Sequence, residues 1–180
     1  MKTYIYILCF LSSLWGGQAL AASQYKQALD KKLNAYLSEG VVTGGRAGKG
    51  YSLLNVRRDL STKMAMERVI LDLGDLEGKP LAGKASYFQA SIEKNPPRIV
   101  IDLAQLSRSA VTEAKLKQIF KRSPYIKSVE LTSDPEDRSA SLVLDLNEPM
   151  AVEVFEMPSA YKATRIVLDL KKNAAPARKK

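Results

Sequence analysis

The chain has 180 residues, a formal net charge of +9 at neutral pH, one cysteine and no histidine. Zinc hydrolases and serine hydrolases with a histidine base are excluded, because the side chains their chemistry needs are missing. A single cysteine builds no intramolecular disulfide, so stability has to come from packing, which one domain of this length can supply.

Residues 1–21 read as a secretory signal peptide cut after Ala21. Lys2 supplies the positive start, Tyr4 to Trp15 is a mostly apolar stretch, and Ala19-Leu20-Ala21 places small residues where a signal peptidase cuts. The apolar run is too short for a good membrane span, so no stable span is expected after cleavage. Cys9 lies inside this segment.

Residues 22–50 read as an amphipathic helix followed by a linker. Tyr25, Leu29, Leu33, Tyr36 and Leu37 fall on one helical stripe, Ser23 is placed to cap it, and Gly40 ends it. Gly44, Gly45, Gly48 and Gly50 then predict a flexible linker without the Gly-Lys-Ser/Thr ending of a phosphate loop. The helix either packs on the domain or docks on a partner.

From residue 51 the chain carries four near copies of one hexamer. They are Arg68-Val-Ile-Leu-Asp-Leu73, Arg98-Ile-Val-Ile-Asp-Leu103, Ser141-Leu-Val-Leu-Asp-Leu146 and Arg165-Ile-Val-Leu-Asp-Leu170. Asp72 and Asp145 are 73 residues apart, and Asp102 and Asp169 are 67 apart. That spacing describes a block used twice rather than four equal repeats. Further strand-like stretches lie at 52–60, 85–93, 125–132 and 150–157, so each half, about 52–103 and 125–170, holds four strands. Between the halves, Thr112 to Arg122 predicts a crossover helix with Leu116, Ile119 and Phe120 on one face, stopped at Ser123-Pro124. The predicted fold is all-β: a sandwich of two similar four-stranded sheets, with this crossover helix and the N-terminal helix outside. Val69, Leu71, Leu73, Ile99, Ile101 and Leu103 are predicted to fill the space between the sheets.

The charge is unevenly placed. Residues 51–170 contain 17 basic and 17 acidic side chains, whereas residues 171–180 contribute five basic residues and no acid. The domain is neutral, and residues 172–180 read as a disordered basic tail. Neutral strands with no basic helix argue against nucleic-acid binding. Catalysis would fall to carboxylates, above all Asp72, Asp102, Asp145 and Asp169. Four equivalent strand-end positions in a duplicated fold read as structural: each Asp is placed to bond the following turn or an Arg on a neighbouring strand. No catalytic residue, metal or cofactor is expected.

The repeats, the helix between the halves and above all Asn95-Pro-Pro-Arg-Ile-Val-Ile-Asp-Leu103 resemble the AMIN domain over about residues 51–171. That family is found with periplasmic N-acetylmuramoyl-L-alanine amidases and type IV pilus secretins. The resemblance implies a periplasmic, non-catalytic module that binds or localises to peptidoglycan. About ten residues follow Leu170, so a stand-alone domain is expected. The alternative is a protein–protein adaptor for an envelope complex such as a pilus secretin or the division machinery. Planar polar groups and aromatic faces suit a glycan, which nominates Arg57, Arg58, Tyr87, Arg98, Tyr125 and Arg165, with Tyr51 and Tyr161 beside them.

Overall fold

The computed structural model describes residues 25–48 and 50–172. The signal peptide assigned to 1–21 and the basic tail beyond Lys172 lie outside the described residues. In chain order the elements are β1 (Tyr25–Gln27), β2 (Gly40–Gly44), β3 (Tyr51–Ser61), β4 (Met66–Gly74), β5 (Phe88–Lys94), β6 (Pro97–Leu103), β7 (Leu106–Ser109), α1 (Glu113–Phe120), β8 (Ile126–Asp134), β9 (Ser139–Leu146), β10 (Met150–Met157) and β11 (Arg165–Lys172). They form an all-β sandwich of a six-stranded sheet, β1-β2-β5-β6-β9-β8, and a five-stranded sheet, β10-β11-β4-β3-β7.

The four hexamers are the four central strands, β4, β6, β9 and β11. Their alternation works as expected: Val69, Leu71, Leu73, Ile99, Ile101 and Leu103 are fully buried between the sheets. The antiparallel cores are β5-β6-β9-β8 and β10-β11-β4-β3. Neither sheet comes from one half of the sequence. Each half gives one hairpin to each sheet, and exchanging the counterparts β3/β8, β4/β9, β5/β10 and β6/β11 converts one core sheet into the other.

The sheets exceed four strands because residues outside the repeats join them. β7 pairs in parallel with the start of β3. β2 pairs antiparallel with β5, and β1 pairs in parallel with β2. The predicted N-terminal helix and flexible linker are therefore corrected to two strands with an irregular strap between them. The strap satisfies its backbone on the sandwich instead of on itself. Leu37 exchanges two backbone hydrogen bonds with Val152 at the edge of β10, and the Glu156 amide donates to the Leu29 carbonyl. Asn34, at φ 57°, breaks the helical path, and Leu29 and Leu33 of the apolar stripe are 44% and 48% exposed. Gly44 permits close approach rather than flexibility: a Cβ there would lie 2.4 Å from the Phe88 ring.

The crossover helix forms as predicted. Thr112 caps it by accepting from the Lys115 amide, and Leu116 and Phe120 enter the core, with Ile119 packed against it. Among the described residues, no helix is long and apolar enough to cross a membrane.

Candidate functional site

Pairing between hexamers holds two of the repeated aspartates, Asp169 and Asp102, and adjacent strands outside the hexamers hold Asp72 and Asp145. In β11 against β4, Asp169 lies opposite Arg68 and Arg165 opposite Asp72; in β6 against β9, Arg98 lies opposite Asp145 and Asp102 opposite Ser141. The first residue of one hexamer thus faces the aspartate of another. Arg68 grips Asp169 through two hydrogen bonds of 2.6 and 2.8 Å, and Arg57 grips Asp72 through two of 2.7 and 2.8 Å. Ser141 donates to Asp102, and Ser128 donates to Asp145 at 2.6 Å. All four aspartates are tied to a neighbouring strand. The partners are Arg or Ser; Arg68 and Ser141 open hexamers, whereas Arg57 and Ser128 lie outside them.

The outer faces of the two sheets differ. The strap roofs the β10–β11 side of the five-stranded sheet. The Leu33 and Ala35 amides donate to Glu153 at 2.7 and 3.0 Å, Lys32 pairs with Asp169, and Tyr36 donates to the Met66 sulfur. Val167, Asp169, Glu153 and Phe155 are consequently buried although they lie on the outward side of their strands. Burial pushes the Asp169 carboxyl up, but hydrogen bonds from Arg68 and Lys32 outweigh it and hold the group below the usual aspartate range.

Nothing in the described chain roofs the six-stranded sheet in this way. One row across it reads Gln27, Thr43, Gln89, Asp102, Ser141 and Thr132, one polar residue from each strand. The next reads Val41, Ser91, Val100, Val143 and Glu130; beyond it lie Glu93, Arg98, Asp145 and Ser128. Apart from Thr43, which is buried, these side chains are half-buried or exposed. The result is a broad, flat, largely polar platform.

The nominated binding residues do not converge. Tyr87 and Arg98 belong to the platform, at opposite ends of it. The six residue steps from Tyr87 to Glu93, the register neighbour of Arg98, span roughly 20 Å. Tyr87 is 43% exposed, and Arg98 donates to Glu93 at 2.7 Å. Arg57 and Arg165 lie on the other sheet, flanking Asp72. Tyr51 and Tyr125 are buried in the core, whereas Tyr161 is almost wholly exposed on the β10–β11 connection. Arg58 points inward at one end of the sandwich. It lies 3.5 Å from Glu67, a fully buried carboxylate that also accepts from Ser123 at 2.6 Å. Burial raises the Glu67 pKa more than Ser123 and Arg58 lower it. Gln89, Ser91, Ser141 and Thr132 of the platform were not nominated from the sequence; their signal was their place at the outward positions of strands whose alternate positions are apolar.

Among the described residues no three acidic side chains are grouped to share a metal ion. Compared with known families and curated proteins, the chain matches no family model and no curated sequence. The class of protein is therefore set by its architecture: a duplicated β sandwich with one roofed and one open sheet.

Proposed function

We propose that this chain is a non-catalytic periplasmic module that binds cell-wall peptidoglycan through the open face of its six-stranded sheet. The observation that carries the reading is the platform itself. Its rows offer amide, hydroxyl, carboxylate and guanidinium groups at the strand spacing of about 4.8 Å, which suits repeated hydrogen bonding to a linear chain of hydroxyls and amides. The AMIN resemblance and the signal-peptide reading support the same assignment, as does the duplicated sandwich. The repeated aspartates support a non-catalytic role, since each already serves a neighbouring strand.

Co-sedimentation with purified sacculi tests this. The mature protein is expected to pellet, the double variant Gln89→Ala/Arg98→Ala to remain largely in solution, and Arg57→Ala/Arg165→Ala on the roofed sheet to pellet normally. A wild-type protein that stays in solution beside a known binder, or equal loss in both variants, sinks the assignment.

A second reading, an adaptor for an envelope complex, rests on the strap. Leu29 and Leu33 are exposed there, apolar and close in sequence. If Leu29→Ser/Leu33→Ser abolishes capture of an envelope partner while sacculus binding persists, the strap is a protein contact.

A further inference from the structure

We propose that the cleft between α1 and β8, which meets the edge of the open platform at Ser128, binds an acidic peptide. The cleft encloses about 440 Å³ between Lys117, Phe120 and Lys121 on one side and Ile126, Lys127 and Val129 on the other. That volume lies within the range of ordinary ligand sites. Its lining contains three lysines and no acidic residue. Lys117 is tied to Glu113, but Lys121 and Lys127 are exposed and have no ion pair among the described residues. The acids beside the cleft stand at its edge and outside its lining: Glu113 pairs with Lys117, Asp145 accepts from Ser128, and Glu130 on β8 acts electrostatically on Lys117. In a domain whose charges balance, the fold gathers free cations on both walls of one groove.

The shape of the site selects the chemistry. Phe120, Ile126 and Val129 make an apolar floor beneath the charged rim, which suits a carbon chain bearing spaced anions. Lysines act as point charges and do not impose bidentate geometry. The helix end nearest the cleft, at Phe120 and Lys121, is the C-terminal one, whose carbonyls oppose a concentrated dianion. Phosphate sites use the opposite helix end. Singly charged carboxylates spread along a peptide fit better, one to each free lysine.

The test uses the mature full-length protein and a fluorescein-labelled hexaglutamate peptide, read by anisotropy at low salt. Two double variants carry the same change in net charge: Lys121→Glu/Lys127→Glu in the cleft, and Lys79→Glu/Lys162→Glu at exposed positions, Lys79 beyond the end of β4 opposite to Glu67 and Lys162 on the β10–β11 connection. Each exposed ion pair contributes modestly, so the cleft variant is expected to bind about fivefold or more weakly. The distant variant should stay within about twofold of wild type by the same reasoning. Equal weakening in both variants would assign the binding to overall charge and the basic C-terminal residues, and overturns the proposal. So does displacement of the peptide by inorganic phosphate beyond that by chloride of equal ionic strength, because the site would then prefer a phosphate. Melting curves that coincide with wild type establish that the variants are folded. Sacculus pelleting of the cleft variant is read separately, so failure of this site and failure of the platform are distinguishable.

Discussion

Tyr51 shows how a single buried atom affects the whole fold. Its side chain is fully buried, and its hydroxyl has no hydrogen-bond partner among the described residues. Burial pushes its pKa up, so the group stays neutral at any pH of interest. An unpaired buried hydroxyl costs about 1–3 kcal/mol. Tyr51→Phe is therefore expected to stabilise the protein by about 1 kcal/mol, seen as a Tm rise of about 3–5 °C; a lower Tm would show that the hydroxyl has a partner. Glu67 makes a pH-dependent counterpart. Its folded pKa lies above the ordinary value of 4.5, chiefly through burial, so the native state binds the proton more tightly than the unfolded chain. That contribution to stability is complete below pH 4.5 and is lost as pH rises through the folded pKa. Thermal melts of wild type and Glu67→Gln from pH 4 to 7 are expected to show wild type losing ground to the variant as pH rises. A gap moving the other way would mean that the Arg58 pairing outweighs burial. Neither residue announces this in the sequence. Tyr51 was nominated as a surface aromatic, and Glu67 differs from other acids only in which face of β4 it occupies.

At the scale of elements, strands and the crossover helix were legible because each carries its own signal. The hexamers of β4, β6 and β9 alternate in burial, and Thr112, Leu116 and Phe120 mark a cap and a face of α1. The strap was not legible. Tyr25, Leu29 and Leu33 repeat at four-residue spacing, the mark of a helix, yet an isolated helix of about fifteen residues is marginal in water. Here Glu153 and the edge of β10 supply better partners for the backbone. The glycines misled in the same way, since Gly44 stands where a ring must fit. Gly44→Ala would place its Cβ 2.4 Å from Phe88 and 2.8 Å from the Ala28 Cβ. Overpacking of this kind costs about 1–3 kcal/mol. The urea midpoint of Gly44→Ala is expected to fall accordingly, and an unchanged midpoint would show that β1 and Phe88 shift freely.

At the scale of the molecule, the exchange of hairpins makes the two halves inseparable. Residues 51–111 hold two hairpins that belong to different sheets, and their central strands β4 and β6 each lack the neighbour supplied by the other half. A half expressed alone would expose the inner faces of both hairpins, so residues 51–111 are expected to show no cooperative melt by circular dichroism. A sharp transition in that fragment would mean that each half folds by itself. The sequence alone determined the strand set, the inward and outward positions of each hexamer, the duplication and the crossover helix, because alternation, repetition and capping are local properties. Which hexamer faces which, which carboxylates are buried and which sheet is left open were decided by tertiary structure. Those outcomes depend on pairings between residues as far apart as Arg68 and Asp169, and on a strap whose backbone is satisfied only once the sandwich exists.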